Sequence, residues 1–127
     1  MTIALPYRFM LAGILFAIVG MGLGIWMGTH EDFTYAAVHA HINLVGWASL
    51  FLFGLFYRTA PTSAATGLAS AHFWCALLGA ICLAIGIVGS VGPQLALALF
   101  AIPGALLTLA SMLIFLWVVA QAARRAA

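Results

Sequence analysis

Two histidines one residue apart, His39 and His41, with Asn43 close behind, stand inside an otherwise apolar stretch, YAAVHAHINLVGWASLFLFGLFYR, residues 35–58. A neutral imidazole keeps one ring nitrogen free to accept a proton or to ligate a metal. Ionisable groups within a bilayer are functional-site candidates by default. On a regular helix the i, i+2 spacing turns the two rings about 200° apart, so they point to nearly opposite faces and one ion is not easily held by both. Two separate sites, one on each side of the helix, fit the spacing better. One face carries His39, Asn43, Gly46, Leu50 and Tyr57; the other carries His41, Leu44, Val45, Ala48, Leu52 and Leu55. Ala48, about two turns below His41, leaves a shallow apolar slot on which a haem ring could lie, although a packed neighbouring helix would need the same slot. The plainer alternative for either histidine is a hydrogen bond to a nearby backbone carbonyl.

The remaining candidates are weaker. His72 opens a later apolar run at the opposite membrane face, so it cannot complete the coordination of His39 or His41, and the expected role is interfacial, solvated or capping. Met27, His30, Glu31 and Asp32 gather near the outer mouth and could pass or weakly bind a metal ion, yet their mixture of hard and soft ligands identifies no particular ion. Cys75 and Cys82 lie seven residues apart on one expected helix, about 10 Å by axial rise, and cannot pair with each other.

The elements that must position these residues follow from composition. The 127-residue chain is 67% hydrophobic and only 5% charged, whereas a water-soluble domain carries about a quarter charged residues. Four runs, near 8–28, 35–57, 70–91 and 95–121, are each long enough to span a bilayer. The expectation is a single all-α integral membrane domain over 1–127: four transmembrane helices in an antiparallel up-down arrangement. The first run is too long for a signal-peptide core and lacks a small-x-small cleavage site, so it reads as a span. Alternating the spans gathers Arg8, Arg58, Arg124 and Arg125 on one side, which the positive-inside tendency makes cytoplasmic, with both termini there. The formal net charge of +2 comes from these arginines and gives no support for nucleic-acid binding; the lipid bilayer is the expected partner. Tyr7, Tyr57 and Trp117 fall at the inner ends of spans, and Trp26 and Tyr35 at the outer ends. Pro103 followed by Gly104 predicts a kink inside the fourth span. Small residues at Gly20 and Gly24, and at Cys75, Gly79, Cys82 and Gly86, mark close approach of helices, within the chain or between copies.

HAHINLVGWASLFLFGLFYRTAP followed by SAHFWCALLGAICLAIGIVG resembles the tenth and eleventh helices of the catalytic subunit I of haem-copper oxidases. The shared features are His39-Ala40-His41, Gly46 and Gly54, Phe56-Tyr57, Pro61, and His72-Phe73-Trp74, over about the middle half of the chain. By motif, the resemblance implies that His39 is the proximal ligand of a high-spin haem and His41 an axial ligand of a low-spin haem. It implies a b-type haem (haem b) as cofactor, with His39, His41, Asn43 and Ala48 around it. It also implies a respiratory-chain partner and a bacterial-type inner (cytoplasmic) membrane. The family's subunit is built as three arcs of four helices, so a homotrimer would rebuild its outline. Nothing in the chain matches the family's copper-binding histidines, its cross-linked tyrosine helix or the carboxylates and lysine of its proton channels. Electron transfer or diatomic gas binding is therefore the expected role, and a complete oxidase site is not. Two alternatives are copper handling for an oxidase through Met27, His30, His39 and His41, and a cofactor-free accessory or assembly subunit.

Overall fold

The structure, a computed structural model, describes residues 3–126. Four helices dominate it: α1 (Leu5–His30), α2 (Ala36–Thr59), α3 (Gly67–Val91) and α4 (Leu95–Ala126), each long and apolar enough to cross a membrane. No strand occurs among the described residues. The helices match the four apolar runs and extend most of them by a few residues.

Local chemistry sets their ends. α1 begins with a proline in its first turn, where the missing N–H costs nothing. It ends at Glu31, whose backbone is left-handed with φ 52° and whose N–H donates to the carbonyl of Met27. Asp32 Oδ1 then accepts from the backbone N–H of Thr34 at 3.0 Å and from its hydroxyl at 2.7 Å, closing the turn into α2. The second linker holds a single helical turn, Pro61–Ala64, and Thr66 caps α3 by accepting from the N–H of Ala69 at 3.1 Å.

The arginines collect at one end of the bundle. The guanidinium of Arg8 lies 4.4 Å from the Phe73 ring centroid, that of Arg58 lies 5.9 Å from Tyr7, and Arg125 shares a pocket with Ser63 and Thr66. Glu31 and Asp32 occupy the loop at the far end, where Tyr35 approaches Trp26 with ring centroids 6.3 Å apart.

Small residues build two tight helix pairs within the chain. In the first pair, a Cβ at Gly20 would fall 2.5 Å from the Asn43 amide nitrogen, and one at Gly24 2.9 Å from His39 Cε1. In the second, a Cβ at Gly79 would fall 2.8 Å from the backbone nitrogen of Thr108, and Gly86 abuts the backbone of Ala101. The stripes left open by the sequence are thus used inside the chain. The pairs join through a core of Phe9, Phe53, Tyr57, Phe73, Ala76 and Val118, drawn from all four helices near the arginine end. α4 is the most peripheral: only 11% of its most apolar stretch is buried, and Leu99, Ile102, Leu106, Leu109, Leu113 and Leu116 face outward.

Two departures from regular helix matter. Ile42–Ser49, directly after His41, is π-helical, a widened form found mostly as single turns and often at functional sites. The fourth span also differs from the expected kink at Pro103. Leu95–Phe100 forms a 3₁₀-helix and α geometry starts at Ala101, so Pro103 sits in the first α turn, where its ring meets no α-helical carbonyl behind it.

Candidate functional site

The HxH pair occupies the last turn of regular α-helix before the π segment. His39 faces α1. Its Nδ1 lies 2.8 Å from the carbonyl oxygen of Gly20; because a carbonyl only accepts, Nδ1 carries a proton, and in the neutral ring Nε2 then keeps its lone pair. Asn43 sits on the same side, its amide nitrogen donating to the carbonyl of His39 at 2.8 Å. The same nitrogen lies 3.4 Å from His39 Nδ1, but two donors face each other there and no bond forms. Gly46, Leu50 and Tyr57, assigned to this face, are all buried.

His41 points elsewhere. Its Nδ1 lies 2.8 Å from the carbonyl of Ala37, one turn back, which selects the same tautomer of the neutral ring, the one with its lone pair on Nε2. The ring is half-buried. Of the residues assigned to its face, Leu44, Leu52 and Leu55 are exposed and Ala48 is half-buried, while Val45 lines a cavity with Ala76 of α3 and Thr108 of α4. The two faces read from spacing are thus followed in part: the first is buried, against α1 at His39 and against His72 of α3 at Tyr57, and the second is outward except at Val45.

A haem at either position would make three demands of the residues present. An axial ligand must present an unprotonated nitrogen, held in orientation by a bond from its other nitrogen, beside apolar surface large enough for a flat ring. His41 meets the first two in its neutral form, and for the third its face offers the exposed Leu44 and Leu52 and the half-buried Ala48. His39 meets the first two, but its ring fills the groove over Gly24. Of the other histidines, His39 bonds α1, His72 is buried in the core and His30 stacks on Trp26. A separate apolar groove of about 480 Å³, between Leu15 and Phe16 of α1 and Leu77 and Ile81 of α3, is lined by neither histidine.

The outer cluster does not converge. His30 stacks on Trp26 with centroids 4.9 Å apart and bonds through Nδ1 to the Trp26 carbonyl at 2.9 Å, while Met27 is buried. Among the described residues no three His, Cys, Asp or Glu side chains come together in a way that could hold a metal ion. Hydrogen bonds from Thr34, side chain first and backbone second, hold the exposed Asp32 carboxyl below its ordinary 3.8.

His72 and Tyr57 require correction. His72 is fully buried, neither solvated nor a cap, with its Nδ1 3.0 Å from the hydroxyl of Tyr57. Phe53, Phe9 and Phe115 surround the imidazole at centroid distances of 4.5, 5.1 and 5.4 Å. Tyr57, expected as an interfacial aromatic, is likewise fully buried. The available signal was the excess of aromatic residues at the arginine end of three spans. What one sequence hides is that they converge on one ring.

No family model matches the chain, and no curated protein or solved structure matches it.

Proposed function

We propose that this chain is an integral-membrane b-type haem protein whose iron ligand is His41. The observation that carries the reading is the His41 ring itself: held by the Ala37 carbonyl through Nδ1, with Nε2 left without a partner, on a face of α2 where Leu44 and Leu52 are exposed. An ionisable group turned toward lipid is costly unless something covers it, and a haem would supply both a ligand partner and an apolar cover. When bound, the group would add reversible one-electron chemistry or diatomic gas binding. His39 and Asn43 would act at one remove, fixing α1 against α2 and so the orientation of the His41 turn, and Ala48 would leave room for the ring edge.

Since the other histidines of the chain are engaged elsewhere, the reading favours a homo-oligomer. A second copy supplying the sixth ligand gives electron transfer; an open sixth position gives gas binding. The trimer rests on the resemblance to the three arcs of the oxidase subunit. The arginine end would face the cytoplasm, by the positive-inside tendency, and a respiratory-chain partner would meet the haem from within the membrane.

A second reading, a cofactor-free accessory subunit, draws support from His39, Asn43 and His72, all of which already have packing roles. The copper reading has less support, since its residues do not gather.

A reduced-minus-oxidised absorption spectrum of the purified protein in mild detergent, with iron and copper quantified on the same sample, tests these readings. A Soret change lost in His41→Ala and retained in His39→Ala is expected. A featureless, metal-free spectrum from cells with ample haem overturns the haem reading in favour of the accessory subunit. Bound copper without a Soret band selects copper handling.

A further inference from the structure

Charge is segregated along the bundle. The only two carboxylate side chains of the sequence, Glu31 and Asp32, lie in the loop after α1, whereas Arg58 stands at the opposite end, in the last turn of α2. A helix of spanning length, about 30 Å, separates the two ends, so neither acid neutralises Arg58. The other arginines of that end are placed differently. Arg8 turns toward α3, its guanidinium 4.4 Å from the Phe73 ring centroid, and Arg124 is exposed.

Arg58 borders a pocket of about 420 Å³. Its wall comes from the first turn of α1, at Leu5, Pro6 and Tyr7, from Arg58 on α2, and from the linker after α2, at Pro61 and Ala65. The guanidinium reaches across from α2 to α1, 5.9 Å from the centroid of the Tyr7 ring, which is within cation–π range. Tyr7 is exposed and brings a hydroxyl to the same pocket. Beside Arg58 and two tyrosines, of which Tyr57 is fully buried, the wall is made of proline, alanine and leucine.

That composition selects an occupant. The guanidinium fork matches two phosphate oxygens. A free hydrated anion gains nothing from the apolar wall, whereas a phospholipid carries its phosphate on glycerol and acyl chains that cover it. The ends of α1 and α2 set the pocket at the depth where headgroups lie. A zwitterionic head would bring an ammonium group beside Arg58, a like charge, and would find no carboxylate side chain at this end. An anionic head brings no such cation.

We propose that this pocket binds the headgroup of an anionic phospholipid of the phosphatidylglycerol class, with its phosphate on Arg58 and Tyr7 and its glycerol backbone against Leu5, Pro6, Pro61 and Ala65. Basic pockets between transmembrane helices hold anionic headgroups in this way. The bound lipid joins the start of α1 to the end of α2 and its linker. The site requires insertion in a membrane and is independent of any haem at His41.

The test is native mass spectrometry of the full-length protein in mild detergent, titrated with dioleoyl phosphatidylglycerol or dioleoyl phosphatidylcholine. The first phosphatidylglycerol is expected to bind about fivefold or more tighter than the first phosphatidylcholine. Arg58→Gln should abolish this preference. So should Ala65→Leu, which fills the pocket from an exposed position with every charge in place, and which keeps the test decisive should Arg58→Gln fold poorly. Arg124→Gln removes the same charge from the same end but lines neither pocket there, and should retain the preference. Equal affinity for the two lipids, a preference that survives Ala65→Leu, or an equal loss in Arg124→Gln and Arg58→Gln overturns the proposal, the last in favour of general surface charge. Displacement of phosphatidylglycerol by millimolar inorganic phosphate also overturns it, in favour of a free anion.

Discussion

The Nδ1 of His39 on α2 and the carbonyl oxygen of Gly20 on α1 are 2.8 Å apart, a tie between two helices made through the main chain of a glycine. The approach depends on side chains that are absent. Gly20 leaves room for the Asn43 amide, and Gly24, one turn on, leaves room for the imidazole. In a bilayer, where lipid tails compete equally for apolar surface, close backbone approach and interhelical hydrogen bonds are what hold helices together.

Enlarging Gly24 should therefore loosen this pair. Gly24→Leu is expected to cost about 1–3 kcal/mol through overpacking, read as a lower thermal midpoint in detergent. Gly22→Leu, on a face with nothing within 4 Å of a Cβ, should leave the midpoint unchanged. Equal midpoints for both variants would show that the α1–α2 groove is not tightly packed.

The two histidines should separate by phenotype. In haem-free protein, His39→Ala breaks the bond to Gly20 and opens a gap over Gly24, so a loss of about 1 kcal/mol is expected. His41→Ala removes only a bond within its own helix and should leave stability within about 0.5 kcal/mol of the parent, as is usual for surface substitutions. Unfolding by denaturant in mixed micelles measures both. A larger loss from His41→Ala than from His39→Ala would reverse the assignment of faces.

Asp32 should titrate below its ordinary 3.8 because the Thr34 hydroxyl and backbone N–H both favour its charged form. The sign follows from linkage. With the folded value depressed, the turn is fully supported above pH 3.8 and loses that support as pH falls through the folded value. Carboxyl ¹³C shifts of labelled aspartate should show the midpoint returning toward 3.8 in Thr34→Ala. An unchanged midpoint would leave the hydroxyl bond without effect.

Much of the architecture was legible because lipid-spanning segments must be long, apolar and helical. The assignment of Gly46, Leu50 and Tyr57 to one face of α2 also held. The other face came through at Leu44, Leu52 and Leu55, which are exposed, but not at Val45, which lies within the π segment with its altered pitch and lines a cavity facing α3 and α4. His72 was misread because its expected span began at residue 70, which put the ring at the interface. α3 starts at Gly67, and the burial of His72 comes from Phe9, Phe53 and Phe115 on other helices. The π segment carries no periodic signature in eight residues. The 3₁₀ entry to α4 depends on the fit of its backbone to Gly86 and Gly89, which exists only once α3 is in place.

The clustering of arginines yields a prediction about orientation. Arg8, Arg58 and Arg125 mark one end of the bundle, while Glu31 and Asp32 mark the other. Positive residues in short loops are retained on the cytoplasmic side, so the loop between α1 and α2 should be external. With Cys75 and Cys82 replaced by alanine, Glu31→Cys should react with a membrane-impermeant maleimide in intact cells. Thr62→Cys should react only after the membrane is opened. The reverse pattern would place the arginine end outside.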